Sequence, residues 1–261
     1  KMKKPIKEYV DWAQKWIAEC ERILKPSGTM FIYGFSEILA HISVNLNMDH
    51  RWIVWHYTNK TVPSLNFWQR SHESILCAWH DKSERIFNRD AVREPYTDGF
   101  VKGYTPKPGE KPKKRPKSTG RMQSGNADTF YTVNAKGALP RDVLKHSSLA
   151  GGSGRKERIF HCEKCGKTYH PSELKNHKDH KVTVSYTNKQ GLVQTKDVSA
   201  IKKHPTQKPF DLTKRLLKSC MPEKGLVLIP FVGSGAEVIV SRQLGHDYVG
   251  FELNDEYFKF I

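Results

Sequence analysis

Over residues 5–24 the apolar side chains Ile6, Val10, Trp12, Ala13, Trp16, Ile17, Cys20 and Leu24 recur at three- and four-residue steps. That period predicts a helix, and Lys25-Pro26-Ser27-Gly28 supplies the turn chemistry that ends it. Thr29–Tyr33 is a short apolar run bounded by Gly34, of strand length, and a helix over 36–46 and β-rich segments at Arg51–Tyr57 and Ser74–Trp79 follow. Helix alternating with strand is the rhythm of a parallel sheet with crossover connections, so an α/β fold is expected. The pattern lapses from about residue 82 and returns at Pro209–Cys220, where Leu212, Leu216 and Leu217 share one helix face. A strand at Leu226–Phe231, a glycine turn, a helix over 235–244 and a strand at Tyr248–Leu253 close the series. No internal repeat is present. The chain therefore reads as core over 1–81, an insert over 82–203, and core again over 204–261.

Charge sharpens this division. Of 261 residues, 44 are Lys or Arg and 27 Asp or Glu, a formal net charge of +17. Residues 1–81 hold 10 basic and 8 acidic side chains, residues 204–261 hold 7 of each, and residues 82–203 hold 27 against 12. An excess confined between two nearly neutral, apolar-rich flanks points to a polyanion-facing module set into a scaffold, with nucleic acid as the partner. Its densest part, Gly99–Gly125, carries Lys113, Lys114, Arg115, Lys117 and Arg121 among prolines, with Glu110 its one acid. Such a stretch cannot offset its ordering entropy by burial and is expected to order on phosphates. The longest apolar run, Leu226–Val232, is far shorter than the roughly 20 residues that span a bilayer, so a membrane protein is not expected. Five cysteines, two of them closely spaced, do not make a disulfide framework and fit a reducing compartment.

The most specific local signal is the strand Leu226–Phe231 running into Val232-Gly233-Ser234-Gly235, then a helix, then a strand ending in Glu252. A glycine turn after a buried strand lets the backbone approach a ligand and aims the next helix start at it. Glu252, seventeen residues past Gly235, stands where a carboxylate accepts hydrogen bonds from both ribose hydroxyls, which suits an adenosine-containing cofactor. The plainer alternative is a tight strand-to-helix turn beside a solvated acid.

His204-Pro205-Thr206-Gln207-Lys208-Pro209 heads the helix before that strand. The succession of this hexapeptide, a helix, Pro-Phe-Val-Gly-Ser-Gly, a helix and Glu252-Leu253-Asn254 closely resembles the C-terminal half of the circularly permuted amino-methyltransferases of DNA, the β group of restriction-modification and phage enzymes. Residues 19–34 and Arg70–Leu76 resemble further segments of that family, in family order. The likeness covers residues 5–80 and 204–260 and implies a Rossmann-like S-adenosylmethionine-dependent methyltransferase fold interrupted by a largely irregular, zinc-finger-containing insert. It implies that Phe231, Gly233, Ser234 and Gly235 line S-adenosylmethionine, that Glu252 holds its ribose, and that Thr206 and Lys208 sit near its methionine end. It also implies double-stranded DNA as partner, the cytoplasm of a prokaryotic or phage-infected cell, and an exocyclic base amine as methyl acceptor, N6 of adenine favoured over N4 of cytosine.

Two departures stand out. Ile229 occupies the position where the family commonly has an acid, with Glu237 a candidate to compensate. The family's catalytic motif, a polar residue followed by Pro-Pro and an aromatic, occurs nowhere in this sequence, so no catalytic residue is assigned. In permuted enzymes the motif belongs upstream of a helix like 5–24, and its place is expected in an N-terminal portion absent here. An inactive DNA-binding relative is the competing explanation.

Within the insert, Cys162 and Cys165, then His177 and His180, resemble a two-Cys two-His zinc finger over 160–180, with slightly short spacings. Two thiolates from a Cys-x-x-Cys knuckle and two imidazoles complete a tetrahedral structural site; His170 or His161 could replace His180, and a free thiol pair beside surface histidines is the alternative. Cys20, Cys77 and Cys220 lie in apolar periodic stretches and read as core, as do Trp52, Trp55, Tyr57 and Trp79. Phe67, Trp68, Arg70 and Ser71 are loop-like and able to approach nucleic acid, and His72-Glu73 reads as structural support.

Overall fold

The computed structural model describes residues 5–59, 66–104, 134–149, 160–162, 168–169, 198–200 and 207–258. They fall in two compact units, one built from Lys1–Phe87 with Asp142–Ile261, the other from Asn88–Arg141.

In the larger unit, α1 (Ile6–Ile23) starts at Pro5, whose fixed φ suits a helix start, and buries Val10, Ala13 and Ile17. These positions are the apolar stripe of the sequence, and they pack with Ile32, Leu39, Ile42 and Leu76. β1 (Met30–Gly34) leads through Phe35 into α2 (Ser36–Ser43), followed by β2 (Asp49–Tyr57) and β3 (His72–Trp79). A fourth strand, β4 (Val143–His146), joins them in the order β1-β3-β2-β4.

Here the expected all-parallel rhythm is corrected. β1 and β2 run in the same direction across the α2 crossover, but β3 lies between them antiparallel to both, Met30 opposite Ala78 and Asp49 opposite Trp79. A parallel neighbour needs a crossover element, and the described residues linking β2 to β3 contain no helix, so the chain folds straight back. β4 pairs parallel with β2, Val54 beside Val143. It lies within the stretch read as insert, and it brings Leu144 into the core beside Trp55 and Tyr57.

In the smaller unit, a 3₁₀ turn at Arg89–Val92 precedes α3 (Asp98–Tyr104), and Glu94 pairs with Ala138 in an isolated bridge. Arg93, its side chain nearly buried, donates to Asp90 and to the Gly137 carbonyl, and Arg141 donates to Glu94. Three short strands that belong to the Asp142–Ile261 part of the larger unit, β5 (Phe160–Cys162), β6 (Thr168–Tyr169) and β7 (Val198–Ala200), form an antiparallel sheet in the order β6-β5-β7.

The C-terminal portion begins with α4 (Phe210–Cys220), which carries two apolar faces. Leu212 and Leu216 pack with Trp55, Tyr57, Ile75 and Leu144, whereas Phe210 and Leu217 pack with Val227 and Ile229. One helix thus belongs to two cores. β8 (Leu226–Ile229), α5 (Ala236–Gln243) and β9 (Asp247–Gly250) then make a strand-helix-strand unit with the two strands parallel, Leu228 beside Val249, and α6 (Asp255–Phe258) ends the described chain. As read from the sequence, Trp55 and Trp79 are buried; Cys220 is buried too, Cys20 and Cys77 half-buried, and all three thiols are free. Burial holds the Cys77 thiol up at about 11 and Cys220 at about 12, so neither is a reactive thiolate at neutral pH. No helix among the described residues is long and apolar enough to cross a membrane.

Leu212 is fully buried at the junction of α4 with the first sheet. Leu212→Ala is expected to cost about 2–5 kcal/mol in urea unfolding, the range for a deleted core leucine.

Candidate functional site

The C-terminal end of β8 holds the glycine turn. Gly233 and Gly235 have φ of +55° and +78°, left-handed values that a side chain disfavours, and Gly235 is the residue from which α5 starts. The β8–β9 ladder continues into this turn: Phe251 N–H donates to Ile229 at 3.0 Å and Val232 N–H to the Phe251 carbonyl at 2.9 Å. Gly250 lets the two segments close, since a Cβ there would stand 2.5 Å from Val232 Cγ2.

This approach brings Glu252 to the turn. Its Oε2 accepts the Gly233 N–H at 2.7 Å and its Oε1 accepts the Asn254 N–H at 2.9 Å. The two features that the sequence paired at a distance are therefore in direct contact. Each carboxylate oxygen still has lone-pair capacity for a hydroxyl, and the two amides fix its orientation. Beside the turn, Phe231 is half exposed and packed by Trp12 and Trp16 of α1, ring centroids 5.8 and 5.1 Å away. Ser234 is half-buried in the same bend.

Lys208 lies elsewhere in this neighbourhood than a free cationic arm would. Its Nζ donates to Glu73 Oε2 at 2.7 Å, and the ammonium sits 5.0 Å from the centroid of Tyr33 and 5.2 Å from that of Trp55. Both charged side chains are less than a fifth exposed. Tyr57 donates to the other oxygen of Glu73 at 2.8 Å. Burial first, and the Glu73 carboxylate second, push the Tyr57 hydroxyl far above the ordinary phenol range, so it remains a donor. Glu73, read as support, is the hinge of this network. Sequence reasoning missed its partner, because a pairing across 135 positions leaves no local periodicity.

Glu237, in the first turn of α5, keeps some solvent contact, but its carboxyl is enclosed by protein. Desolvation raises its pKa against the lowering pull of its own backbone N–H and of Lys208.

At the end of β1 a cleft of about 280 Å³ is lined by Phe35, Glu37, Phe67, Trp68, Arg70 and His72, among others. Arg70 lies over the Phe35 ring at 3.9 Å and pairs with Glu37 at 2.9 Å, while Phe67 and Trp68 are 78% and 88% exposed. Sequence reading named the loop but not the cleft, whose far wall comes from residues after β1.

Thr206, Cys165, His177, His180, Lys113, Lys114, Arg115, Lys117 and Arg121 lie outside the described residues, and Cys162 is described by its backbone in β5. Among the described residues no group of three or more His, Cys, Asp or Glu could hold a metal ion.

A strand-glycine turn-helix unit with an acid at the tip of the next strand is the arrangement by which α/β sheets commonly carry nucleotides, and here aromatics of α1 buttress it. The chain belongs to the DNA methylase family, which it matches over residues 1–261. It is 24% identical over 259 residues to the Type II methyltransferase M.HpaI of Haemophilus parainfluenzae, covering 97% of this chain and 58% of that protein. To the DNA adenine methyltransferase YhdJ of Escherichia coli (strain K12) it is 25% identical over 255 residues, covering 96% of this chain and 65% of the relative. The chain thus spans about 60% of the length of these curated relatives. Among solved structures, the PvuII DNA methyltransferase (cytosine-N4-specific) superposes with a TM-score of 0.55 at 14% identity, over 100% of this chain and 75% of that one, and this likeness shows a shared α/β fold.

Because its folded pKa is raised, Glu237 favours the native state while protonated and opposes it once ionised; that stability is present below the ordinary carboxylate range and is lost as pH rises through the raised value. Glu237→Gln is expected to raise the urea midpoint at pH 7, with the gain shrinking as pH falls toward 4. A gain that grows on acidification would contradict the assignment.

Proposed function

We propose that this chain is the cofactor-binding and target-binding part of a DNA methyltransferase of the permuted β group, moving a methyl group from S-adenosylmethionine to an exocyclic base amine, N6 of adenine in preference to N4 of cytosine. The observation that carries this reading is the 2.7 Å hydrogen bond from Gly233 N–H to Glu252, which joins the backbone bend to the acid in one pocket. The relative named an adenine methyltransferase supports the choice of base. The catalytic Pro-Pro-aromatic motif lies on polypeptide outside this sequence, a reading supported by relatives of which this chain covers 58% and 65%. The cytoplasm of a prokaryotic or phage-infected cell is the corresponding site of action.

The residues present fit the cofactor. The left-handed glycines give backbone access, Glu252 accepts from the ribose hydroxyls, Ser234 and Gly235 head the α5 start, and Phe231 forms an apolar wall. Lys208, clamped by Glu73, serves the methionine carboxylate as a fixed positive charge rather than a mobile arm, with Thr206 beside it. S-adenosylmethionine supplies an electrophilic methyl on a sulfonium. The base amine is a poor nucleophile because its lone pair is delocalised into the ring, so orientation is what the protein must provide. The target atom is inaccessible in stacked duplex; the cleft between Phe35 and Trp68 is large enough for an extruded base, with Arg70 held over Phe35 as part of its wall.

Apart from β4, residues 82–203 form the target-recognition part. Lys113, Lys114, Arg115, Lys117 and Arg121 contact the phosphates of double-stranded DNA, making affinity strongly salt-dependent. The zinc finger over 160–180 is supported by the backbone of β5 and β6, which pair antiparallel with Phe160 opposite Tyr169 and His161 opposite Thr168.

In calorimetry on the complete polypeptide, Glu252→Ala is expected to weaken S-adenosylmethionine at least about 10-fold, or 1.4 kcal/mol; unchanged affinity would overturn the pocket, and no binding by the unaltered protein would return the inactive alternative. Elemental analysis is expected to find one zinc per chain, lost in Cys162→Ser and kept in Cys77→Ser. Retention by Cys162→Ser would defeat the ligand set.

A further inference from the structure

Glu237 is the second residue of α5, just past the left-handed Gly235, and among the described residues no Lys, Arg or His forms an ion pair with it. Its carboxyl accepts its own backbone N–H, so the side chain folds back toward the helix start, where α5 leaves the glycine turn. Lys208 acts on this carboxyl electrostatically without reaching it, because its ammonium is committed to Glu73 at 2.7 Å. Tyr33, near the end of β1, faces both charges. Its ring centroid is 5.0 Å from the Lys208 ammonium, and burial first, the Glu237 carboxylate second, hold its hydroxyl protonated far above the ordinary phenol range. Next to Lys208 in the chain, Gln207 Nε2 is buried with no partner among the described residues. An enclosed acid and an amide donor are thus left unsatisfied in the neighbourhood of a cation that is held in place. Such groups lower stability, and a protein bears that cost where they serve a ligand.

The other carboxylates of this neighbourhood are occupied. Glu73 takes Lys208 and Tyr57, and Glu252 takes the Gly233 and Asn254 amides. Ile229, at the end of β8, is buried and apolar, so it offers a ligand no charge. S-adenosylmethionine ends in an amino acid, a zwitterion whose carboxylate and ammonium are joined to one carbon. Lys208 answers the carboxylate; a pocket holding that cation alone would desolvate the ammonium with nothing to compensate it. We propose that Glu237 receives the α-ammonium of the cofactor's amino-acid end, so that Lys208 and Glu237 grip the zwitterion from its two charges. This inference rests on the methyltransferase reading above and deepens it. Binding brings the counter-charge that the free protein lacks: the carboxyl gives any proton it holds to solvent and forms a charge-assisted hydrogen bond, and its burial ceases to be a cost. Selectivity follows, because a nucleoside with the adenosine and the carboxylate intact but no amino group leaves Glu237 desolvated and unpaired.

The test is calorimetry on the complete polypeptide with S-adenosylhomocysteine and with its analogue carrying hydrogen in place of the α-amino group. In the unaltered protein, losing the amino group is expected to weaken binding at least about 10-fold, the scale of a hydrogen bond to a charged group. Glu237→Gln is expected to bind S-adenosylhomocysteine more weakly by a similar factor and to bind the two nucleosides equally. Its urea midpoint at pH 7, expected above that of the unaltered protein, excludes loss of fold as the cause. A third probe, S-adenosylhomocysteine without its carboxylate, is expected to lose the same factor in both proteins, because that loss falls on Lys208. An amino group that contributes equally in both proteins, or nothing in the unaltered one, overturns the inference. So does a variant in which the carboxylate also loses its contribution, since Glu237 then acts as a support of Lys208. Absence of S-adenosylhomocysteine binding by the unaltered protein instead overturns the methyltransferase reading, and this inference with it.

Discussion

The ion pair between Lys208 and Glu73 ties the beginning of the C-terminal portion to the first sheet, and much else follows from it. Two charges less than a fifth exposed would be costly if either stood alone. Here the ammonium is faced by the rings of Tyr33 and Trp55, and the carboxylate takes a second hydrogen bond from Tyr57, so both desolvated groups are compensated. Because Lys208 precedes Pro209 and Phe210, fixing it fixes where α4 starts. α4 in turn sets β8 relative to the first sheet through its two apolar faces. A bond spanning 135 positions is thus the brace on which the placement of the glycine turn depends.

The turn itself illustrates preorganisation. Glycines in left-handed geometry, a ladder carried past the strand ends and an acid oriented by two amides hold the turn in one geometry with no ligand needed to arrange it. Phe231 would be a loose exposed side chain were it not held edge-on by Trp16. Binding site and scaffold are continuous here, and α1, remote in sequence, is part of both.

Much of this was legible in the chain, and for identifiable reasons. α1, α4, β8, α5 and β9 announced themselves by local period and by glycine and proline punctuation, and Glu252 was found because its distance from the turn is set by one helix and one strand. Local signals fail where a partner is remote. The reversal of β3 depends on what lies beside it, not on its own Ile75, Leu76 and Ala78 pattern. β4 is four residues long, with Lys145 and His146 in it, and only its pairing with β2 makes it a strand. The cleft at Phe35 and the clamp on Lys208 likewise required bringing segments together that no window of sequence contains.

β4 has a consequence for how such a chain can diversify. The polypeptide leaves the first sheet after Trp79 and comes back to it as a parallel edge strand at Val143, so everything spliced between these positions is anchored at each end to the same scaffold. Interchanging that cassette, or changing its length, leaves the registry of the sheet intact, which lets the spliced segment drift while the scaffold is inherited unchanged.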